Sequence, residues 1–502
     1  MDRPPASCKT PVSLRPLFPT AQFLGGVDIF AADAVEHSRD CHADAVFAVI
    51  RGTKTNGAMF VREALSYGVA GLLVDHPIAE APVTQCIVPD VRRAFAELSA
   101  SLAGNPSEEL DVVGVTGTNG KTTVTWMVRA ILQRSGRLTG VLGTIEYSDG
   151  VQTEPSHLTT PDSRTLQCWL GRMVTNGANA AAMELSSHAL HQGRAAGTNL
   201  AAGVVTNITQ DHFDYHQHFE AYRSSKARIV DMVRTGGIIA LNADDPGSWS
   251  LRDGTPSTCQ MVSFGCTPSC DVSAQILEES RLGTRFRLGL HGRSQECSIA
   301  LLGRHNVSNA LAAAAAAAHL GVSLEDIVVG LEQFRGVPGR MERIDCGQSF
   351  DVVIDYAHTD DALRRCLASV RGLTAGRVIC VFGAGGDRDA SKRPLLGRAA
   401  SAADIAVVTS DNPRSEPPLG IIHEIAAGMT GSADCVMEPD RQRAIAIALS
   451  WARPGDCVVI AGKGHEREQI IGRERFPFDD RAVARAVLQR LRGSVTEHRR
   501  SA

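Results

Sequence analysis

The chain contains no apolar run approaching the roughly 20 residues that a membrane-spanning helix requires, and no apolar leader segment near its start. Membrane insertion is therefore not expected, and the protein is read as soluble and cytoplasmic. It has no Cys-x-x-Cys pair. Its 13 cysteines are odd in number and scattered, and Cys266 and Cys270 are the closest two. A disulfide framework or zinc ribbon is not expected, and reduced thiols fit a cytosolic compartment. Neither sign of charge dominates, since 51 Lys+Arg against 55 Asp+Glu give a net −4, which excludes a global nucleic-acid footprint. Arg481, Arg485, Arg490, Arg492, Arg499 and Arg500 read instead as the solvated face of a last helix and a frayed tail. No internal repeat is evident.

What is present is the composition of a globular enzyme, with 43% hydrophobic and 21% charged residues. At 502 residues the chain is too long for one core and implies two to four domains. Short apolar strands at 45–50, 71–74 and 85–88 alternate with helical stretches, and Ala103-Gly-Asn-Pro-Ser reads as a linker. Apolar runs recur at 111–115, 180–184, 202–207 and 237–241, each before a helical stretch. That alternation predicts a mostly parallel sheet covered by helices. The alanine run from Leu311 to Leu320 is read as a closely packed helix. After a break at Phe334-Arg-Gly-Val-Pro-Gly-Arg, runs at 350–355, 376–382, 405–410 and 457–461 predict a further α/β domain. The expected domains are 1–107, 108–337 and 338–502.

Gly114-Val-Thr-Gly117-Thr118-Asn119-Gly120-Lys121-Thr122-Thr123 decides the chemistry. It follows an apolar strand and opens a helical pattern of Val124, Met127, Val128, Ile131 and Leu132. Backbone N–H groups of such a loop close on phosphate oxygens, and the helix start adds favourable partial charge. Lys121 suits the β- and γ-phosphates, and the Thr122 hydroxyl suits Mg²⁺. Five residues rather than four separate Gly114 from Gly120, so the spacing departs from the usual P-loop. The expected ligand is ATP or GTP.

Glu184 ends an apolar strand, where a carboxylate faces a ligand crevice or is simply a surface charge. Asp211-His212-Phe-Asp214-Tyr-His216-Gln-His218 follows another strand end. His212 and His216 have the i, i+4 spacing of helical zinc ligands. A phosphate loop in the same domain calls for magnesium, which is the favoured reading, with one or two of these histidines near metal and the rest packing or surface residues.

The runs Gly117-Thr-Asn-Gly-Lys-Thr-Thr, Thr159-Thr-Pro-Asp, Glu184-Leu-Ser-Ser-His, Thr206-Asn-Ile-Thr-Gln-Asp-His-Phe-Asp-Tyr-His, Gly303-Arg-His-Asn-Val-Ser-Asn-Ala, Pro338-Gly-Arg-Met-Glu and Asp355-Tyr-Ala-His-Thr occur in that order. Together they resemble the Mur ligases, ATP-dependent amide-forming enzymes of peptidoglycan precursor synthesis. Gly383-Ala-Gly-Gly-Asp-Arg-Asp, Asp411-Asn-Pro-Arg-Ser-Glu and Gly462-Lys-Gly-His-Glu resemble the branch that joins meso-diaminopimelate to UDP-N-acetylmuramoyl-L-alanyl-D-glutamate. The resemblance implies a three-domain α/β ligase: a small N-terminal domain for the UDP-muramyl substrate, a central P-loop ATPase-type parallel-sheet domain, and a C-terminal Rossmann-like domain.

It also implies roles for individual positions. Lys121, Glu184, His212 and Lys226 would be catalytic, with Thr122 and Glu184 serving one Mg²⁺ and His212 and Lys226 a second. Lys226 would carry a carbamate (N6-carboxylysine), although spacing alone favours a solvated helix lysine. ATP would meet Gly117, Thr118, Asn119, Gly120, Lys121, Thr122, Thr123, Asn306, Arg340 and Asp355. Asn306 is otherwise a helix cap and Arg340 a linker charge, while His358 stays open between a ligand contact and a packed or capping residue. The muramyl substrate would meet Ser38, in His37-Ser38-Arg39, and Thr159, Thr160, Ser186, Gln192 and Arg194. Ala43-Asp44 stand where the family pattern has Pro-Gly. Diaminopimelate would meet Arg388, Asp411, Asn412, Pro413, Arg414, Gly462 and Glu466. A guanidinium captures a carboxylate with a planar fork, which suits the extra carboxylate that distinguishes meso-diaminopimelate from L-lysine.

The resemblance therefore implies ATP and Mg²⁺ as cofactors, small-molecule substrates as the partners, and a monomer without nucleic acid. An L-lysine-adding ligase is the nearest alternative, and Arg414 argues against it. A folylpolyglutamate-type ligase should lack the N-terminal domain and the Asp411-to-Glu416 run. A degenerate nucleotide-binding regulator should have lost Lys121, Glu184 or Lys226.

Overall fold

The computed structural model of the protein describes residues 10–500 except 53–54, 80, 210–212, 281–282 and 431–432. Three sheets organise the chain. In the N-terminal one the strands run in the order Gln22–Leu24, Gln85–Ile87, Gly71–Val74, Ala45–Ala48 and Asp33–Val35. All neighbours are parallel except the first pair. Helix Val91–Leu102, started by the Asp90 carboxylate accepting from Arg93 N, lays Phe95 and Leu98 into this core. Asp44, where the family pattern has glycine, takes φ 69°, a left-handed conformation that aspartate tolerates better than most residues.

The first eight of the 11 strands of the central sheet are, in spatial order, Thr153–Pro155, Glu146–Ser148, Thr139–Leu142, Ala180–Glu184, Asp111–Thr116, Leu200–Val205, Val233–Asn242 and Gln260–Gly265. From Thr139–Leu142 onward the neighbours are parallel. Ala180–Glu184, apolar up to its final glutamate, and the all-apolar Leu200–Val205 are buried on both faces, which is why they read as continuous hydrophobic runs. Asp111–Thr116 lies between them, and the chain leaves it first to one side and later to the other. That makes its carboxyl end a topological switch point, where ligands bind in open α/β sheets.

The C-terminal sheet runs Glu342–Arg343, Asp351–Asp355, Cys457–Ala461, Val378–Phe382, Ile405–Thr409 and Asp434–Glu438, parallel after the first pair. Each expected strand of this region is present, and the alanine run lies within helix Arg304–His319. The chain packs as two compact units. The N-terminal sheet and the eight central strands named above belong to one, and the C-terminal sheet belongs to the other together with Ile276–Phe286 and Cys297–Val307.

Many strands had no counterpart in the sequence reading, among them Thr139–Leu142, Gln260–Gly265, Asp434–Glu438 and the consecutive Val272–Ser280, Gly283–Leu290 and Arg293–Ile299. The terminal arginines need a correction. Arg481 is 8% exposed rather than solvated, and it pairs with Asp479 at 2.7 Å and Glu342 at 3.9 Å. No helix among the described residues is long and apolar enough to cross a membrane.

Candidate active site

The expected phosphate loop forms between strand Asp111–Thr116 and helix Lys121–Arg134. Gly117 has φ 150° and Gly120 has φ 87°. A Cβ on the first would strike Thr206 Oγ1 and on the second Asn309 Oδ1, so both positions require glycine. The helix buries Val124, Met127, Val128, Ile131 and Leu132. The loop is braced from the neighbouring strand end. Asn119 N donates to Asn207 Oδ1 at 2.9 Å, while Thr206 Oγ1 and Asn207 Nδ2 donate to Asn119 O at 2.6 and 3.1 Å. Thr118 Oγ1 lies 3.0 Å from Tyr222 OH and donates to Thr209 O at 3.1 Å. Lys121 Nζ folds back onto the carbonyls of Gly117 (2.8 Å) and Thr118 (2.9 Å).

Glu184 is not a surface charge. It is 1% exposed and accepts from Thr122 Oγ1 at 3.0 Å, Thr144 Oγ1 at 3.0 Å and Thr144 N at 2.7 Å. Lys226 is not a solvated helix lysine either. It is 1% exposed, lies 4.6 Å over the Tyr222 ring, and donates from Nζ to Gly117 O at 2.8 Å. Thr122, Glu184 and Lys226 thus converge on the loop from three elements. His212 lies outside the described residues, with Asp211. His216 is buried against Tyr215 and Tyr222, and His218 accepts from Ala221 N to start helix Phe219–Ala227. Among the described residues no group of three or more His, Cys, Asp or Glu has metal-binding geometry.

Five expected substrate contacts form one bonded patch. Thr159 Oγ1 lies 3.2 Å from Thr144 Oγ1, and Thr160 Oγ1 donates to Glu184 O at 2.7 Å while accepting from Ser186 N at 3.0 Å. Arg194 donates to Gln192 Oε1 at 2.9 Å and Thr160 O at 3.2 Å. Tyr215, given no role in the sequence reading, accepts from Gln192 Nε2 at 3.2 Å. Ser38 instead opens the 3₁₀ turn Ser38–Asp40, just past strand Asp33–Val35 of the N-terminal sheet. That sheet is held to the central domain by Arg164, which forks onto the buried Asp33 at 2.9 and 2.6 Å. Burial, and then Asp162, push the Glu36 carboxyl above its ordinary range against the pull of His37, Arg92 and Arg194.

Asn306, Arg340 and Asp355 belong to the second unit. Asn306 is no cap: it lies inside helix Arg304–His319 and donates from Nδ2 to Leu302 O at 2.8 Å. The Arg340 guanidinium covers the Tyr356 ring at 4.4 Å. Asp355 accepts from Met341 N at 2.7 Å and Ala357 N at 2.8 Å, and burial raises its carboxyl above the usual range although Arg340 opposes the shift. His358 is exposed and caps its own loop through Tyr356 O at 2.9 Å.

The three motifs expected to meet diaminopimelate converge at the carboxyl ends of adjacent strands. Asn412 Nδ2 donates to Glu466 Oε2 at 2.9 Å, and Asn412 Oδ1 accepts from Ile470 N at 3.0 Å. Lys463, which the sequence reading missed, is fully buried between Asn412 Oδ1 (3.0 Å) and Glu466 Oε2 (2.8 Å). Gly462 approaches so closely that a Cβ there would lie 2.8 Å from Asp411 Oδ2. Arg414 has φ 51°, donates to Gly386 O at 2.7 Å, and is pinned by Arg414 N→Ile470 O (3.1 Å) and Gly472 N→Arg414 O (2.7 Å). Beneath, Arg441 forms a fully buried ion pair with Asp480 at 2.7 Å and donates to Ala461 O at 2.9 Å. Near this cluster the His465 ring packs on Tyr356, and its pKa is lowered to about 3, first by burial and then by Arg340, Arg481, His358 and Lys463.

The chain is 42% identical to a UDP-N-acetylmuramoyl-L-alanyl-D-glutamate--2,6-diaminopimelate ligase of Geobacillus kaustophilus, over 93% of its own length and 96% of the relative's. A solved structure of a ligase of the same name superposes with a TM-score of 0.69 at 30% identity, covering 96% of this chain and 99% of that one. A folylpolyglutamate synthase of Mycobacterium tuberculosis shares the fold at 18% identity and a TM-score of 0.61, but covers 75% of this chain. Residues 115–317 match the Mur ligase middle domain and 339–464 the Mur ligase glutamate ligase domain, so this chain belongs to the Mur ligase family.

Proposed function

We propose that the protein catalyses ATP-dependent addition of meso-2,6-diaminopimelate to UDP-N-acetylmuramoyl-L-alanyl-D-glutamate, in the cytoplasm and as a monomer. The observation that carries this reading is Arg414, held with Asn412, Lys463 and Glu466 at the carboxyl ends of adjacent strands. That cluster offers a guanidinium fork for one charged end of a diamino diacid and a carboxylate, Glu466, for an ammonium. The relatives named for the same substrates support it. Residues 1–107 would bind the UDP-muramyl end, 108–337 ATP, and 338–502 the amino acid.

A carboxylate is a poor electrophile. Phosphoryl transfer from ATP makes it an acyl phosphate, which the amine attacks, and phosphate leaves as the amide forms. Positioning and charge neutralisation do most of the work in such a transfer. The loop N–H groups and Lys121 would cradle the phosphates, with Arg340 and Asp355 as further nucleotide contacts. Thr160, Ser186, Gln192 and Arg194 would hold the muramyl dipeptide. Thr122 and Glu184 are paired hard-oxygen groups, and this donor set fits Mg²⁺, which commonly takes one or two carboxylates and completes its shell with phosphates and water. His212 and a carbamylated Lys226 would serve a second ion. When bound, Mg²⁺ would neutralise charge on the transferring phosphoryl group.

A folylpolyglutamate-type activity would leave a quarter of the chain without a counterpart in that enzyme. An L-lysine-adding activity would leave Arg414 facing an ammonium. The test is phosphate release with the muramyl dipeptide and ATP, comparing meso-diaminopimelate with L-lysine. Release only with meso-diaminopimelate is expected, and a preference for L-lysine would overturn the reading.

A further inference from the structure

Arg393 is a buried guanidinium outside every motif invoked above. It sits in the first turn of helix Lys392–Ala400, 3% exposed, and donates to two carboxylates: Glu416 Oε1 at 2.8 Å and Glu424 Oε2 at 3.0 Å. The two partners differ in what else they touch. Glu424 lies on helix Pro418–Ala426 and is half exposed. Glu416 ends the Asp411-to-Glu416 loop, and the same oxygen accepts from Asp387 N at 2.6 Å in the neighbouring loop.

Around that bond the two loops are stitched together. Ser415 donates to Asp387 from Oγ at 2.5 Å and from N at 3.3 Å, Gly386 N donates to Asn412 O at 2.9 Å, and Arg414 Nη1 donates to Gly386 O at 2.7 Å. Both loops hold a strained residue, with Asp387 at φ 54° and Arg414 at φ 51°. Such left-handed conformations are costly for residues other than glycine and persist only where the surroundings over-determine them. The far side of Arg414 is pinned by Ile470 and Gly472. The near side rests on Asp387 and Glu416, and Arg393 is the buried cation that fixes Glu416.

We propose that Arg393 is a positioning residue for amino-acid selection: by clamping Glu416 to Asp387 it sets the two loops that present Arg388 and Arg414 to the incoming carboxylate. This rests on the reading of the enzyme as a diaminopimelate-adding ligase. Glu424 shares the same guanidinium without touching either loop, so it serves as an internal control.

The experiment compares Arg393→Lys, Glu416→Gln and Glu424→Gln in the full-length enzyme. It measures kcat and KM for meso-diaminopimelate, L-lysine and ATP, together with thermal unfolding. Lysine keeps the charge but not the fork that spans two carboxylates. Arg393→Lys and Glu416→Gln should each raise KM for meso-diaminopimelate about tenfold or more, because misplacing a binding group by an ångström is costly. KM for ATP should stay unchanged, the preference over L-lysine should shrink, and the double variant should be no worse than Glu416→Gln alone. Glu424→Gln should leave KM for meso-diaminopimelate unchanged. The clamp is overturned if Glu416→Gln leaves that KM unchanged, or if Glu424→Gln raises it equally, which would make Arg393 a fold-stabilising ion pair only. Glu416 is a third exposed, so its neutral variant keeps the test readable if Arg393→Lys fails to fold. A wild-type enzyme that does not turn over meso-diaminopimelate would overturn the functional reading itself, whereas active wild type with indifferent variants would overturn the clamp alone.

Discussion

The buried Lys226 Nζ donates to the carbonyl of Gly117, the first glycine of the phosphate loop, at 2.8 Å. A helix 109 residues away in sequence therefore reaches the loop with an ionisable group. A carbamate nitrogen keeps one N–H, so carbamylation is compatible with this bond while it replaces the ammonium by an anionic oxygen ligand. Lys226→Ala should lower kcat by about 100-fold or more, as loss of a group that stabilises transferring charge commonly does. If the group is a carbamate, formate or acetate should restore part of the activity and small alkylamines should not. Rescue by amines alone would mean that the lysine acts as a cation, and a fully active alanine variant would remove it from the site.

Glu184 accepts three hydrogen bonds in a buried setting, from Thr122 Oγ1, Thr144 Oγ1 and Thr144 N. Glutamine can keep its carbonyl on the Thr144 N–H and turn its amide toward the two hydroxyls, which rotate to accept. Glu184→Gln should therefore fold, at a cost of about 1–2 kcal/mol for replacing charged by neutral bonds. Its kcat should fall steeply and its Mg²⁺ requirement should rise. Titrating activity against Mg²⁺ checks this, and an unchanged metal dependence would detach Glu184 from the metal.

His465 supplies a pH prediction. Its ordinary value of 6.5 is lowered to about 3 by burial and by nearby cations. The folded protein refuses a proton that the unfolded chain accepts. The stability contribution is thus complete above 6.5 and is lost as pH falls from there toward about 3. His465→Gln should flatten the decline of unfolding free energy below pH 6.5, by at most about 1.4 kcal/mol per pH unit. Denaturant unfolding on both sides of that pH measures it, and parallel pH profiles for the two proteins would show that His465 is not held neutral.

The buried parallel strands were legible because a strand covered on both faces is apolar throughout, as in Leu200–Val205 and Cys457–Ala461. Gly283–Leu290 was missed for the opposite reason. Only its alternate residues Thr284, Phe286, Leu288 and Leu290 are buried, and two arginines interrupt the run. The period-two alternation was the available signal. In the site, the glycine loop and its lysine declared themselves by local spacing. Thr144, Asn207, Tyr222 and Lys463 did not, because each acts by meeting a partner brought in by another strand or loop. Burial of Glu184 and Lys226 was likewise invisible to spacing, since it follows from where a strand and a helix bring them against the loop.

Arg414 decides specificity in the proposed reading. Its backbone is pinned by Ile470 and Gly472, and its guanidinium already meets Gly386 O at 2.7 Å. Alanine carries the same Cβ as arginine, so Arg414→Ala adds no backbone strain at φ 51° and isolates the loss of the fork. If the fork pairs with the distal carboxylate of meso-diaminopimelate, L-lysine leaves a desolvated charge unmatched, and sites of that kind discriminate by roughly 10⁴-fold. Arg414→Ala should raise KM for meso-diaminopimelate sharply and shrink the preference over L-lysine, with KM for ATP unchanged. Arg414→Lys should fall between the two, because a point charge cannot reproduce a planar bidentate contact. The variant need not become a lysine ligase, since nothing new would pair with lysine's terminal ammonium. Paired kcat/KM values for both amino acids in the three proteins check the assignment. Unchanged selectivity in Arg414→Ala would place the carboxylate elsewhere and leave this arginine as a brace for the Gly386 loop.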